Sequence, residues 1–292
     1  MSHPAAAAGQ IRTRLDVLFA SAAPRAVILR RGPRTHWRLA TWDLRKDVFT
    51  PGQWMVGIVR LCDLSPSGDK IIYWAAQHHR SGATRVAARP KSGKPYDPLA
   101  APLARLPRPG RRVPRYMVPS LPGPAPQRPA RLDTTWTAVS TPPYFTALAL
   151  WPAFGHWTGG GMFHGDRGIL IQEPENRMAP IESVPIPRAV HVGSWFGSGR
   201  GLKPSAHGPS HGTNLDSGHF REALVRGGAT WVEWVHHHEN GDLLFACDGC
   251  IYRLKDWQKL DPPDYLRTAK RIADFRDMRF EAVAAPPEAM KW

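Results

Sequence analysis

Between Trp231 and Leu254 the chain reads WVEWVHHHENGDLLFACDGCIYRL, with two turn signals, Asn240-Gly241 and Asp248-Gly249, each set between strand-like runs. Both central positions of a type I′ hairpin turn need positive φ, which Asn, Asp and Gly tolerate at least cost. The stretch therefore reads as a three-stranded meander, and it makes the chain a β protein. A turn centred on Asn240-Gly241 sets His238 opposite Leu243, His236 opposite Phe245 and Trp234 opposite Cys247. A turn centred on Asp248-Gly249 sets Cys247 opposite Cys250 and Phe245 opposite Tyr252. Strand alternation then puts Trp234, His236, His238, Phe245, Cys247, Cys250 and Tyr252 on one face.

On that register His236 is a diagonal neighbour of Cys247, close enough to share a zinc ion with Cys247 and Cys250. His238 lies further along and His237 points the other way, so the sheet offers three ligands where a structural zinc takes four. The competing reading is two reduced, half-buried cysteines beside a solvated histidine run, and it is preferred: no tight metal site and no cofactor is expected. A disulfide across the hairpin would be strained. With only Cys62, Cys247 and Cys250, the chain is no disulfide scaffold.

The rest of the chain repeats the same texture. AVILRRG, HWRLATWD, DVFTPG, MVGIVRLCDLS and DKIIYWA are short β-rich runs divided by Gly-Pro, Arg-Lys-Asp, Pro-Gly and Pro-Ser-Gly turns. TWTAVS, YFTALALW, HWTGGGMF, GILIQ and a run from Ala189 to Phe196 follow after residue 131, and a Gly/Ser/His loop is expected from Gly197 to Gly218. Ile11, Leu15, Leu18 and Phe19 have helical spacing, which predicts a short amphipathic helix over 10–22. Asp261-Pro262-Pro263-Asp264 predicts a second helix start, with Leu266, Ala269 and Ile272 on one face. Met278–Val283 alternates like a closing strand. Twelve Trp, 30 Pro and 26 Gly fit many short strands with large aromatics between sheets.

Residues 80–131 break the pattern. They hold twelve basic residues against the single acid Asp97, hence eleven of the chain's +15 net charge, together with twelve of its prolines. A segment of that composition buries too little apolar surface to offset its chain entropy, so it reads as a disordered or polyproline-like insertion. The division along the chain is then 1–24 helix and tail, 25–79 β-meander, 80–131 insertion, 132–284 continuation of the same domain, and 285–292 tail. The basicity belongs to the insertion, where Arg108, Arg111, Arg112 and Arg115 with Tyr116 are candidates for phosphate contacts and base stacking. A merely solubilising loop is the alternative.

Trp42-Asp43 ends one run in the manner of a WD dipeptide, and Leu64–Asp69 leads into Lys70-Ile71-Ile72-Tyr73 as propeller turns lead into strands. Outside the insertion, roughly 40–45 residues per four-stranded blade allow about five blades. The expected fold is all-β, with propeller-like antiparallel meanders, and a β-sandwich is the alternative. Several strings together (Arg30-Arg31-Gly32-Pro33, Trp42-Asp43, Pro51-Gly52-Gln53-Trp54, Cys62-Asp63-Leu64-Ser65-Pro66, Ala147–Pro152 and Ala273–Ala282) resemble the shared pattern of a family of bacterial proteins without a characterised activity. The resemblance covers most of the chain outside 80–131 and 172–220, and it implies no activity and no site residues.

No catalytic set assembles in the sequence. His156, His164 and Asp166 lie near one turn, and His207, His211, Asp216 and His219 lie in or beside the Gly/Ser/His loop, as candidate acid–base or metal groups. No serine has the Gly-x-Ser-x-Gly context of an exposed nucleophile. Gly159-Gly160-Gly161 is read as a strand bulge or edge rather than a phosphate cradle. With Arg12 and Arg14 interrupting any N-terminal apolar core and no apolar run of 18 residues, the expectation is a soluble cytoplasmic protein. It is expected to bind an unidentified protein or small-molecule partner without catalysis. Non-specific nucleic-acid binding through 80–131 and a metal-dependent or hydrolytic enzyme are the alternatives.

Overall fold

A computed structural model of the chain describes residues 13–32, 36–76, 135–153, 159–172, 180, 182–194 and 217–292. The insertion 80–131 with Arg108, Arg111, Arg112 and Arg115, and also His156, His207, His211 and Asp216, lie outside the described residues.

The described strands form four sheets. Sheet I is the meander β1 (Arg14–Phe19), β2 (Arg25–Arg31), β3 (His36–Asp43) and β4 (Val48–Val56). Sheet II runs β5 (Ile58–Leu64), β6 (Ile71–Ala76), β7 (Thr135–Ser140) and β8 (Ala147–Pro152). Sheet III holds β9 (Gly160–His164) and β10 (Gly168–Gln172). The short β11 (Glu182–Ser183) adds to the β8 edge of sheet II, and β12 (His191–Ser194) adds to β10 of sheet III. Sheet IV is β13 (Val232–His237), β14 (Leu243–Cys247), β15 (Cys250–Leu254) and β16 (Lys270–Asp274). Every described pairing is antiparallel except β10 with β12, and no described sheet closes on itself. The chain is all-β, as its turn punctuation predicts.

The sheets stack face to face. Leu29, Trp37 and Leu39 of sheet I meet Leu61, Tyr73 and Ala138 of sheet II in one core. On its other face sheet I sets Val17, Ile28 and Trp42 against Trp234, Leu244 and Ile251 of sheet IV. Ile72, Val139 and Trp151 of sheet II pack on Phe163, Ile169 and Ile171 of sheet III. Helix α1 (Ser217–Arg226) and the single turn α2 (Tyr265–Thr268) cover the outer face of sheet IV through Phe220, Leu224 and Tyr265. The order is III–II–I–IV–helices, so the inner strands are buried on both sides and read as near-continuous apolar runs. Strands β6 and β7 pair from Ile71↔Ser140 to Ala76↔Thr135, so the sequence on both sides of the insertion belongs to one sheet.

Five expectations need correction. The segment over 10–22 is not a helix where it is described: Arg14–Phe19 is a strand, in register with β2 from Arg14↔Arg31 to Phe19↔Ala26. Leu15 and Val17 face sheet IV, alternating with the exposed Arg14 and Asp16, while the adjacent Leu18 faces sheet II; that one inward residue on the second face gives Leu15, Leu18 and Phe19 a spacing that mimics a helix. The helix after Pro263 stops at Thr268, and Ile272 lies in β16. That strand, rather than Met278–Val283, is the last of sheet IV. Conversely, α1 starts inside the expected Gly/Ser/His loop, with Phe220, Ala223 and Leu224 as its buried stripe.

The fifth concerns register. At Asp248-Gly249 the type I′ geometry is present, with φ of 51° and 76°, and Cys247 pairs with Cys250. At the other turn only Gly241 has positive φ, at 88°. Gly241 N–H donates to the His238 carbonyl at 2.9 Å and His238 N–H to the Asp242 carbonyl at 2.9 Å, which closes a three-residue loop, Glu239-Asn240-Gly241. The register moves by one, giving His237↔Leu243, His236↔Leu244 and Val235↔Phe245.

Candidate binding site

A one-residue slip turns a strand's side chains to the opposite face. His236 shares the face of Leu244 and Trp234, in the core with sheet I, whereas Cys247 lies with Val235, Leu243 and Phe245 against the helices. His236 and the cysteine pair are therefore on opposite sides of sheet IV and cannot share a metal ion, which corrects the His236–Cys247–Cys250 grouping. His236 instead stacks on Phe19 at 3.9 Å between centroids. Burial, with the neighbouring His238 and His237, lowers its pKa to about 4. Cys247 and Cys250 are free, buried thiols, and burial pushes Cys247 up to about 12. A thiol so raised stays protonated at neutral pH and is a poor nucleophile or ligand.

The other singled-out residues serve as joints. The Asp166 carboxylate accepts from Ser67 N–H at 2.9 Å and so ties the β9–β10 turn to the β5–β6 turn, and His164 is exposed beside it. His219 lies on the exposed side of α1. The three glycines at 159–161 are a close approach: a Cβ on Gly159 would collide with the Trp74 ring, and one on Gly161 with the Leu170 carbonyl. Gly160 N–H donates to Thr137 Oγ1 at 2.8 Å, and the Arg60 guanidinium, 5.5 Å from the Trp74 ring, donates to the Gly159 carbonyl.

Two buried carboxyls have raised pKa values. Asp63, pushed to about 6 by burial, accepts from Phe163 N–H at 2.7 Å and Leu64 N–H at 2.9 Å, so both of its oxygens are engaged by backbone. Glu233, the extra residue where β13 bulges between Val232 and Trp234, accepts from Gly249 N–H at 3.2 Å. Burial raises it to about 7, and its second oxygen is enclosed without a partner among the described residues. Neither carboxyl lies in hydrogen-bond contact with a nucleophile or a second carboxyl among the described residues.

Two arginine centres that the sequence did not flag organise the charged interior. Arg253 of β15 is buried and bonded all round. Its Nε and Nη2 reach Asp47 at 3.0 and 2.7 Å, its Nη1 reaches Asp242 at 2.6 Å, and its Nη2 also reaches the Leu44 carbonyl at 3.0 Å. Asp47, at φ 53° in the β3–β4 turn, also accepts from the Trp42 indole at 3.2 Å. The fork clamps sheet IV to sheet I.

The second centre lies at the other end of the same sheet I face. Arg30 of β2 and Arg38 of β3 are cross-strand partners, and Arg38 is opposite Trp54 of β4. Both arginines are buried, with guanidinium carbons 5.6 and 5.3 Å from the Trp54 ring centroid. Arg30 donates to the Phe275 and Arg276 carbonyls at 2.9 Å each and to the Gly32 carbonyl. Burial, then the charge of Arg38, lowers its pKa. Arg38 has a 3.3 Å bond from Nε to the Gly52 carbonyl and a 3.5 Å approach of Nη2 to Glu281, whose side chain is 71% exposed. The Trp54 indole N–H is enclosed and has no acceptor among the described residues.

The Pro51-Gly52-Gln53-Trp54 string builds this floor. A Cβ on Gly52 would collide with Pro143, so only glycine lets β4 approach the β7–β8 loop. Gln53 fixes that loop, its side-chain oxygen accepting from Phe145 N–H at 2.7 Å and Thr146 N–H at 3.1 Å. Above the floor, Phe280 packs on Trp54 at 5.9 Å and on His36 at 6.1 Å, yet remains 61% exposed. The available signal in the sequence was Arg30 and Arg38 at inward positions of strands that otherwise point apolar side chains inward.

Among the described residues no cluster of three or more His, Cys, Asp or Glu could hold a metal ion, and no helix is long and apolar enough to cross a membrane. Compared with models of known protein families, with curated proteins and with solved structures, the chain finds no match in any of the three.

Proposed function

We propose that the protein is a non-catalytic binding module whose ligand-facing region is the arginine–tryptophan floor of sheet I and the aromatic rim above it. The observation that carries this reading is the Arg30–Arg38–Trp54 cluster, which holds two buried cations and an unbonded indole N–H beneath an exposed phenylalanine. Arginine and large aromatics are the residues enriched where interfaces bind most strongly. The buried carboxyls are bonded by backbone amides instead of facing a nucleophile, which favours a structural role for them. The stacking order IV–I–II–III supports the propeller-like reading, because it sets consecutive meanders face to face as neighbouring blades are set. The bacterial family pattern is consistent with that reading as a resemblance, and it assigns no ligand.

The charge density of 80–131 favours nucleic-acid binding as a second reading. One experiment separates the two: affinity capture with the full chain and with a variant lacking residues 80–131, each with and without nuclease. Retention of the same partner by both variants after nuclease supports the binding core. Nucleic acid bound only by the full chain, with steep salt dependence, moves the insertion to the front. A turnover that co-purifies with the protein and is abolished by one substitution would overturn the non-catalytic reading.

A further inference from the structure

At the Arg30–Arg38–Trp54 centre the donors outnumber the acceptors. Arg38 is buried, yet among the described residues its terminal nitrogens have, beyond the one long Nε bond to Gly52, only Glu281, at 3.5 Å. Charge-assisted bonds of this type normally close to about 2.7–2.9 Å. The Trp54 indole N–H, on the ring that both guanidinium groups flank, has no acceptor among the described residues. A buried cation is strongly disfavoured unless an anion meets it: Arg30 has three carbonyls and the nearby charge of Asp277, whereas the anion at Arg38 is, among the described residues, the exposed Glu281 alone. The chemistry that completes the centre is therefore an oxyanion, and the aromatic surface beside it calls for a ring on the same ligand.

The chain places such a pair there itself. Phe280 lies against Trp54 and His36, and Glu281 points at Arg38. Both are held loosely, being 61% exposed as a residue and 71% exposed as a side chain respectively. The segment is fastened before them, where Arg30 grips the Phe275 and Arg276 carbonyls, and after them at buried Ala289. Between these points residues 277–285 form no helix or strand and, among the described residues, no backbone hydrogen bond to the sheets.

We propose that the Arg30–Arg38–Trp54 centre receives an extended partner segment bearing an aromatic side chain next to a carboxylate, and that Phe280-Glu281 is its intramolecular stand-in. The proposal rests on the binding reading above and names its ligand. A partner segment of this kind displaces residues 279–282 without unfolding the sheets, and it gains what the stand-in lacks, a shielded carboxylate–guanidinium contact and a buried ring.

The test uses the full chain and a fluorescent peptide with the sequence of residues 277–284, DMRFEAVA, read by anisotropy. The expected result is at least about tenfold tighter binding to the Phe280→Ala/Glu281→Ala protein than to the wild type, because the internal competitor is gone. A peptide with Gln in place of its Glu should lose about tenfold on the same protein, and added salt should weaken the parent peptide. Equal binding to both proteins, equal binding of the Gln peptide, or no binding to a double variant that melts like the wild type would each overturn the proposal. Where the double variant melts early, the exposed, conservative Glu281→Gln protein replaces it in the same comparison. If the peptide fails but a captured partner stays on the core, only the ligand assignment falls. Loss of both removes the binding reading as well.

Discussion

The two ends of one face of sheet I solve the same electrostatic problem in opposite ways. At one end Arg253 sits buried between Asp47 and Asp242, with the Leu44 carbonyl filling a further acceptor position. At the other, Arg30 and Arg38 lie side by side with backbone carbonyls and one exposed glutamate as their acceptors. A saturated ion cluster has nothing left to offer a ligand and serves to fix the angle between two sheets. An unsaturated one stores unmet donors, which is a feature of recognition sites rather than of joints. The difference lies in how the carboxylates engage: Asp47 and Asp242 bond Arg253 directly, whereas Asp277 acts on Arg30 through its charge and the exposed Glu281 approaches Arg38 at 3.5 Å.

That difference predicts unequal costs. Arg253→Met strands Asp47 and Asp242 at a buried junction, and breaking a buried pair from one side costs about 3–5 kcal/mol. Urea unfolding should show a loss of that size with unchanged slope, and a loss below about 1 kcal/mol would show that the clamp contributes little. Next in size are two isolated ionisable groups on β13, with opposite pH signatures. His236 has its folded pKa lowered to about 4 from 6.5, so its contribution is complete above pH 6.5 and is lost as pH falls toward 4. Its substitution His236→Phe, which keeps the stacking on Phe19, should flatten that acid limb by roughly 2–3 kcal/mol. Glu233 is raised to about 7 from 4.5, so stability is full below pH 4.5 and is lost as pH rises through 7. Glu233→Gln should therefore stabilise the protein at pH 8 by roughly 2–3 kcal/mol and change little at pH 4. Chemical denaturation at the two pH values reads both effects, and a pH-independent Glu233→Gln effect would mean the carboxyl is not desolvated as described.

How much of this was legible in the sequence depended on range. The strands could be read because Gly, Pro, Asn and Asp punctuate them: His36–Asp43 and Thr135–Ser140 coincide with the expected runs, and Arg25–Arg31 and Ile71–Ala76 overrun theirs by one residue. The Asp248-Gly249 turn set its register correctly, because both residues take positive φ. Asn240-Gly241 is compatible with a two- or a three-residue loop, and nothing local distinguishes them. Packing did: the observed register sends Trp234 and Leu244 to sheet I, and with them His236, away from the cysteines. The Arg14–Phe19 strand alternates only over Arg14–Val17, and the buried Leu18 that follows breaks the pattern and lends the segment a helical spacing. Neither arginine centre was visible, because Asp47 and Arg253 are 206 residues apart, and Arg30 and Phe275 are 245 apart.

The smaller effects sharpen the comparison most. Arg38→Met removes one of two adjacent cations and leaves no buried carboxylate unpaired, so its cost should stay within about 1 kcal/mol, partly offset by relief of the Arg30–Arg38 repulsion. A loss approaching that of Arg253→Met would mean the two centres are structurally equivalent and the contrast is wrong. Glu281→Gln is the gentlest probe. An exposed carboxylate 3.5 Å from its partner contributes little, so stability should move by less than about 0.5 kcal/mol. Affinity for an aromatic–acidic peptide should nevertheless rise, because even a weak intramolecular carboxylate competes at high effective concentration. A change in binding without a change in melting assigns Glu281 to occupancy of the centre. A change in melting without one in binding assigns it to the fold, and the second arginine centre then becomes a joint like the first.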